Sequence, residues 1–241
     1  MKRILLKPSG EALSDANGHI YDNTFVDRVA EQIGALVKEG YEIALVIGAG
    51  NIWRGRQGVE MDRMTADHMG MLATVINSLC MKDALMRAGT KAVVMSAVAM
   101  PPFAEGYNAE TARAHLQQGT VVICGAGLGM PFISTDTAGA VRAAELQADA
   151  MFMAKNVDYI YTADPRKDPS AEKLTRVSCS YILEHRLGAI DLTAAAFCLS
   201  TGMPIQIFGL SHPEDIAKAL HGEKVGTFVV AEYYRILPLD E

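Results

Sequence analysis

Residues 124–137 read Cys124-Gly125-Ala126-Gly127-Leu128-Gly129-Met130-Pro131-Phe132-Ile133-Ser134-Thr135-Asp136-Thr137. The apolar run 121–123 before this segment predicts a buried strand, and residues 137–146 after it have the composition and apolar spacing of a helix. Glycines let the backbone approach a ligand closely, and a helix N-terminus presents unpaired N–H groups to an anion. The segment therefore predicts an anion-binding loop between a strand and a helix.

Asp136 lies near the start of the predicted helix, and its carboxylate has two interpretations. It could be the helix N-cap, accepting a backbone hydrogen bond. It could instead be an active-site acid beside phosphates, acting through magnesium or the Lys7 ammonium because phosphates would otherwise repel it. Two cations at other predicted strand ends favour the active-site acid: Lys7 precedes one glycine loop and Arg54 follows another.

Strand-like and helix-like segments alternate along the chain. Three helical segments end at Gly40, Gly89 and Gly119, directly before apolar strands, which is typical of α/β proteins with short loops. Uniformly apolar strands indicate a sheet that is buried on both faces. We predict a three-layer α/β/α sandwich with a mainly parallel central sheet. Its predicted strands are 3–7, 41–47, 91–95, 120–124, 150–154, 205–208 and 227–230, and its best-marked helices are 65–88, 109–118, 137–146, 192–199 and 214–221.

The chain has 241 residues, half of them hydrophobic, which suffices for one large core or two modest cores. Its formal net charge of −6 argues against nucleic acid or an anionic membrane as the main partner. The scattered cysteines form no C-x-x-C pair and indicate free buried thiols in a reducing compartment. We expect a cytoplasmic protein without a signal peptide or a membrane-spanning segment.

The predicted helix 65–88 is apolar on two sides. Met69, Leu72, Ile76 and Leu79 recur at helical spacing and predict its core-facing stripe, while other apolar residues lie off that stripe. A helix of this kind is usually buried twice, which favours a subunit interface.

Several strand ends carry a small-residue loop with one charged group. Lys7 precedes Pro8-Ser9-Gly10, Arg54 follows Gly48-Ala49-Gly50, and Asp136 follows Gly127-Leu128-Gly129. The carboxyl ends of parallel strands meet at one edge of a sheet, so these groups are expected to surround one crevice, an arrangement that suits phosphoryl transfer. The chain has no G-x-x-x-x-G-K-[ST] motif, and Trp53 replaces the third glycine of a dinucleotide fingerprint.

Motifs along the whole chain carry a family resemblance: residues 5–13 (Leu5-Leu6-Lys7-Pro8-Ser9-Gly10-Glu11-Ala12-Leu13), 50–55, 61–63, 66–74, 131–137, 164–169 and 191–193. In unbroken order from Met1 to about Val230, they resemble the bacterial uridylate (UMP) kinases of the amino-acid-kinase fold. The resemblance implies conversion of ATP and UMP to ADP and UDP with Mg²⁺, in a cytoplasmic homohexamer, with GTP and UTP as candidate effectors. It also implies one domain over 1–241, with an acceptor lobe over about 1–150, a donor lobe over about 151–230 and a short C-terminal tail.

The resemblance also implies roles for individual residues. The catalytic residues would be Lys7, Arg54 and Asp136, and the ATP-binding residues Lys7, Pro8, Ser9, Gly10, Gly50, Arg54, Lys155, Tyr161 and Asp164, the last three around the base and ribose. The UMP-binding residues would be Ala49, Asp67, Leu128, Gly129, Met130, Pro131, Phe132, Ile133, Ser134 and Thr135, with Asp67 on the ribose. Asp191 would be a further acid near the phosphates. Mg²⁺ would be held mainly by phosphates rather than by side chains.

Some positions depart from the family pattern. Pro8 has no N–H to offer a phosphate, and Ala49 replaces a glycine. Leu128 and Met130 replace a hydroxyl and an amide or imidazole in the loop that reads the base, which leaves base specificity open. Asp67 also has an alternative interpretation as a favourable charge at a helix start.

Two other functions stay open. One is an amino-acid or carbamate kinase of the same fold, and the other is a non-catalytic, nucleotide-binding regulator.

Overall fold

The computed structural model describes residues 2–15, 17–53 and 60–232. Arg54, an expected catalytic residue, lies outside these ranges. The strands are β1 (Arg3–Pro8), β2 (Glu42–Leu45), β3 (Ala92–Ser96), β4 (Glu105–Gly106), β5 (Val121–Gly125), β6 (Ala150–Lys155), β7 (Ile160–Tyr161), β8 (Lys173–Leu174), β9 (Arg176–Ser178), β10 (Ile205–Gly209) and β11 (Thr227–Val230). The helices are α1 (Asn23–Lys38), α2 (Arg63–Arg87), α3 (Ala109–Gln117), α4 (Thr135–Glu145), α5 (Cys179–His185), α6 (Leu192–Thr201) and α7 (Asp215–Leu220), with a 3-10 turn at Gly10–Leu13.

One nine-stranded sheet organises the described chain, in the order β4-β3-β5-β2-β1-β6-β10-β11-β9. Every neighbouring pair is parallel except β10 and β11, which pair antiparallel. β1 lies in the middle, with Leu6 opposite Leu45 of β2 and opposite Phe152 of β6. The predicted mainly parallel sheet is confirmed, and the carboxyl ends of β1 and β6 lie side by side.

Helices cover both faces of this sheet. Along β1, Leu5 points into one apolar core, which it shares with residues of α4, α5 and α6. Its neighbours Ile4 and Leu6 point into a second core, which is shared with α1, α2 and α7. This alternation follows from the two-residue period of a strand, and it confirms the three-layer sandwich.

Glycines end the helices as predicted. Gly40, Gly89 and Gly119 follow α1, α2 and α3 with φ of +96°, +77° and +72°, a backbone conformation that costs glycine little. The elements that were not predicted are β4, the β7–β8 hairpin, β9 and α5. They are two- or three-residue strands and one seven-residue helix, too short to show a periodic pattern.

The apolar stripe predicted for α2 is wrong. Leu72 and Ile76 are 52% and 50% exposed, while Met69 and Leu79 are only partly buried. The buried face of α2 instead presents Ala73, Thr74, Val75, Asn77, Ser78, Met81, Ala84 and Leu85. Its small residues let the helix approach the sheet closely, since a Cβ on Gly125 of β5 would lie 3.2 Å from a Val75 methyl carbon. Close packing against β5 decided the orientation of α2, and the number of large apolar side chains on each face did not.

All four cysteines are free thiols, as predicted, and Cys80 alone is half-buried rather than buried. Burial raises the pKa of Cys124 and Cys198 to about 12. Over the described ranges, no helix combines the length and apolarity needed to cross a bilayer.

Candidate active site

Asp136 is the centre of a buried ionic cluster. It is the second residue of α4 and is 8% exposed. Its Oδ1 lies 2.8 Å from Nζ of Lys7, near the end of β1, and its Oδ2 lies 2.7 Å from Nζ of Lys155, the last residue of β6. Lys155 Nζ also donates to the carbonyl oxygen of Ala189 at 2.6 Å. Two adjacent parallel strands thus deliver two ammonium groups to one carboxylate.

The N-cap of α4 is Ser134, not Asp136. The Ser134 side chain accepts the hydrogen bond from the backbone N–H of Thr137, as an N-cap does. The helix-cap interpretation of Asp136 is therefore wrong, and its carboxylate is committed to the lysines.

The charges in this cluster depend on one another. Burial alone would raise the pKa of the Asp136 carboxyl, but the ammonium groups of Lys7 and Lys155 hold that pKa well below its ordinary value. Burial lowers the pKa of Lys155, and the Lys7 ammonium adds to that lowering against the opposite pull of Asp136. Asp136 is therefore ionised at neutral pH, and its carboxylate lies between two lysine side chains.

Asp191 joins two helix N-termini beside this cluster. It is the N-cap of α6, and its Oδ2 accepts hydrogen bonds from Ser134 Oγ at 2.6 Å and Thr137 Oγ1 at 2.5 Å. The backbone N–H of Asp191 points to Asp136 Oδ2 at 3.4 Å. Because helix N-termini carry partial positive charge, the start of α4 and the start of α6 together favour an anion here.

The first two glycine loops pack against each other next to Lys7. A Cβ on Gly10 would lie 2.2 Å from the Gly48 carbonyl oxygen, and one on Gly50 would lie 2.8 Å from Glu11 Oε1. A Cβ on Gly48 would lie 3.7 Å from Lys7 Nζ. Glycine is required at Gly10 because any side chain would collide with backbone.

The departures at Pro8 and Ala49 are accommodated in the fold. Pro8 lies in β1 and accepts a hydrogen bond from the Gly48 N–H at 3.1 Å. The N–H of Ser9 donates to the Ala154 carbonyl oxygen at 2.8 Å. Ala49 is not among the described residues with positive φ, so an alanine fits there without backbone strain.

Asp67 ties the long helix to the third glycine loop. Arg63 Nε lies 2.9 Å from both oxygens of the Asp67 carboxylate, and the backbone N–H of Phe132 donates to Oδ2 at 2.8 Å. Burial alone would raise the pKa of Asp67, but these donors outweigh it and lower that pKa. The N-cap of α2 is Asp62, so Asp67 lies in the second turn, beyond the first turn where a helix-start charge acts.

The third glycine loop, which ends at Phe132, has an unusual backbone. Ala126 and Phe132 have φ of +59° and +66°, conformations that are uncommon for residues with side chains. The N–H of Ala126 donates to Thr74 Oγ1 at 2.9 Å, and the Gly127 carbonyl accepts from Arg142 at 3.2 Å. Contacts from α2 and α4 therefore hold this loop in shape.

Two cavities meet at the Asp136 cluster. The Tyr161 cavity, of about 670 Å³, contains the predicted residues Lys7, Ser9, Lys155, Tyr161 and Asp164 in its wall. The Asp67 cavity, of about 770 Å³, contains the predicted residues Asp67, Phe132, Ile133, Ser134, Asp136 and Asp191 in its wall. Lys155 and residues 186–188 line both cavities. The resemblance associates Lys155 with the ATP base and ribose, whereas its ammonium lies on Asp136 at the junction of the cavities.

Other predicted residues do not line either cavity. They are Pro8, Gly10, Ala49, Gly50, Leu128, Gly129, Met130, Pro131 and Thr135. Conversely, no individual role was predicted for Arg63, Thr137 or Arg186. Thr137 follows directly on the Ser134-Thr135-Asp136 run, whereas Arg186 belongs to no motif.

The described side chains of this site offer Mg²⁺ few ligands. Within residues 2–15, 17–53 and 60–232, no group of three or more His, Cys, Asp or Glu side chains could hold a metal ion. Both oxygens of Asp136 already accept from ammonium groups. These residues fit an ion that is held mainly by phosphate oxygens and water, as Mg²⁺ usually is in kinases.

Comparison with known proteins gives one family. The model of the amino acid kinase family matches residues 2–209. The fold is similar to the UMP kinase of Bacillus anthracis, with 33% identity, 95% and 96% of the two chains covered and a TM-score of 0.91. It is also similar to the UMP kinase of Ureaplasma parvum (33% identity, 95% and 98% covered, TM-score 0.89) and to the uridylate kinase of Archaeoglobus fulgidus (25%, 95% and 100%, 0.72). The chain belongs to the amino acid kinase family.

Proposed function

We propose that the protein is a UMP kinase, which transfers the γ-phosphoryl group of ATP to UMP and releases ADP and UDP. The observation that carries this proposal is the buried Asp136 carboxylate, held between Lys7 and Lys155 where two cavities meet. A kinase needs a donor site and an acceptor site that open onto one centre of fixed charge. The similarity to UMP kinases supports the choice of acceptor.

The Tyr161 cavity suits ATP. Tyr159 and Tyr161 supply apolar ring surface on one wall, and Asp164 supplies a carboxylate for hydroxyl groups. Lys173 Nζ lies 4.6 Å from the Tyr159 ring centroid and 2.8 Å from Asp158, which holds this wall in place. The volume of the cavity is within the range of ordinary small-molecule sites, roughly 300–1,000 Å³.

The Asp67 cavity suits the acceptor nucleotide. Asp67 offers a carboxylate for ribose hydroxyls, and the start of α4 offers N–H groups to the phosphate. Leu128 and Met130 have apolar side chains, and neither residue lines the Tyr161 cavity or the Asp67 cavity, so neither side chain is placed to form a hydrogen bond to a base. We propose that backbone groups of this loop, rather than these two side chains, recognise uracil.

Phosphoryl transfer depends on positioning and on neutralising negative charge. Lys7 faces both Asp136 and the Tyr161 cavity, so its ammonium can bind the phosphoryl oxygens, while Asp136 fixes where that ammonium lies. Lys155 holds the other side of the carboxylate. Bound Mg²⁺ would supply further neutralisation of the ATP phosphates. Arg54 remains a proposed phosphate ligand from the resemblance alone.

The test is ADP release from ATP and Mg²⁺ with UMP, CMP, dTMP, AMP and small carboxylates as acceptors. We expect UMP to be the fastest acceptor. A preference for a small carboxylate over every monophosphate would instead support the amino-acid or carbamate kinase. Equal rates for all four monophosphates would contradict the choice of UMP as the acceptor. Nucleotide binding without ADP release from any acceptor would support the regulator.

The remaining properties of this proposal come from the resemblance. We propose one domain with an acceptor lobe over about residues 1–150 and a donor lobe over about 151–230, acting in the cytoplasm. We also propose a homohexamer, supported by the exposed apolar residues Met64, Leu72 and Ile76 on one face of α2. GTP and UTP are the proposed effectors. Light scattering tests the homohexamer, and rate measurements with GTP or UTP added test the effectors.

A further inference from the structure

Arg186 is a cation that lines both cavities. It follows α5 as its C-terminal cap, is exposed, and is among the residues that line the Tyr161 cavity and the Asp67 cavity. Within the described ranges, Arg186 has no ion-pair or hydrogen-bond partner for its side chain. Every other described lysine or arginine that lines either cavity is paired with a carboxylate: Lys7 and Lys155 with Asp136, Arg63 with Asp67, and Arg166 with Asp164.

The backbone around Arg186 is held on both sides. The N–H of Leu187 donates to the Ile182 carbonyl of α5 at 3.1 Å, and Leu187 itself is buried. Three residues after Arg186, the Ala189 carbonyl accepts from Lys155 Nζ at 2.6 Å. Because Lys155 also contacts Asp136, the segment that carries Arg186 is anchored to the centre of the cluster.

The local fold does not call for an arginine at this position. Arg186 has φ +50° and ψ +43°, the left-handed conformation that glycine adopts most easily. The neighbouring helix α6 ends in the same conformation with Gly202, at φ +73°. An arginine in this conformation has a higher backbone free energy than a glycine would have. Within the described ranges, the Arg186 side chain forms no ion pair that would offset this cost.

We propose that Arg186 binds the phosphoryl group as it passes from the donor to the acceptor. The inference rests on the proposed function. In that step the bond between the γ-phosphorus and the oxygen bridging to the β-phosphorus breaks, and ADP leaves with the electron pair. A bond forms between the γ-phosphorus and an oxygen of the UMP phosphate. A guanidinium offers several N–H donors to phosphate oxygens, and a carboxylate does not offset its charge here.

The test compares Arg186→Gly with Gln147→Gly. Gln147 is also exposed and left-handed, with φ +56°, and it follows α4 outside both cavities. Both variants are expected to raise Tm, because glycine relieves the same backbone cost. Only Arg186→Gly is expected to lower kcat, by about a hundredfold, with smaller changes in the KM values for ATP and UMP. Low concentrations of added guanidinium are expected to restore part of its turnover and to leave Gln147→Gly unchanged.

The outcomes separate the inference from the proposed function. An Arg186→Gly enzyme with wild-type kcat, or a reduced kcat that guanidinium does not restore, would overturn the role of Arg186. If Arg186→Gly does not fold, Arg186→Asn serves in its place, since Asn also tolerates this conformation. A wild-type enzyme that does not phosphorylate UMP overturns the proposed function, and the inference with it.

Discussion

Asp136→Asn tests the centre of the site. The substitution keeps the size of the side chain and removes its charge, while Ser134 continues to cap the helix. The carboxylate it removes lies 2.8 Å and 2.7 Å from two ammonium groups and is 8% exposed. Breaking a buried ion pair from one side leaves uncompensated charge and costs about 3 kcal/mol. For a chain of this size, that loss corresponds to a fall in Tm of roughly 6–12 °C.

The kcat of this variant should fall by more than the loss of folded protein would explain. Without Asp136, the two ammonium groups repel each other and lose their fixed positions at the junction of the cavities. We expect kcat to fall by about a hundredfold or more at saturating Mg²⁺, ATP and UMP. Bound nucleotide phosphates should restore part of the lost Tm, because they supply the missing negative charge.

The substitution should also change how stability depends on pH. In the wild type, folding lowers the pKa of Asp136, so its contribution is fully present above the unfolded value of about 4 and is lost as pH falls below it. In the variant, Lys155 loses the carboxylate that opposed its lowered pKa. The unfolded chain then binds more protons up to about pH 10, so the stability of the variant should rise with pH in that range.

The measurements are Tm by circular dichroism from pH 3 to 10 and turnover by coupled ADP release. Asp168→Asn is the matched control, because Asp168 is an exposed carboxylate that lines neither cavity. A folded Asp136→Asn protein with wild-type turnover and Tm would refute the assignment of this residue to the active site.

Three further predictions concern neighbouring residues. Lys7→Ala should lower kcat about a hundredfold with little change in the Kd for UMP, and near-normal turnover would remove Lys7 from the transfer site. Asp67→Asn should raise the KM for UMP, because its carboxylate lines the Asp67 cavity. Tm should change little, since Asn keeps an oxygen for the Phe132 N–H and the ion pair that is lost, with Arg63, is largely exposed; a lower Tm with an unchanged KM would contradict this. Ser134→Ala should lower the free energy of unfolding by about 1 kcal/mol in urea titrations through loss of the α4 cap, and an unchanged value would show that the cap contributes nothing.

Much of the fold could be predicted from short-range patterns. Apolar runs of strand length and helix-ending glycines express local conformational preferences. Because these preferences agree with the tertiary structure, the main strands and helices were predicted within a few residues. The orientation of α2 could not be predicted in this way. Its exposed stripe is as apolar as its buried face, and packing against β5 is a contact between residues about fifty positions apart.

The candidate site also combines features that short-range patterns predict with features that depend on long-range packing. The placement of Lys7, the glycine loops and Asp136 at one edge of the sheet could be predicted from residue patterns alone, because the carboxyl ends of parallel strands share one edge. Long-range packing settled two points that no residue pattern indicated: Ser134 caps α4, and Lys155 contacts Asp136. It also decided that Arg186 lies between the cavities. Several polar groups lie close to each donor or acceptor, so a residue pattern does not say which of them forms the hydrogen bond. The packing of β6, α4 and α6 around the buried carboxylate selects the partner.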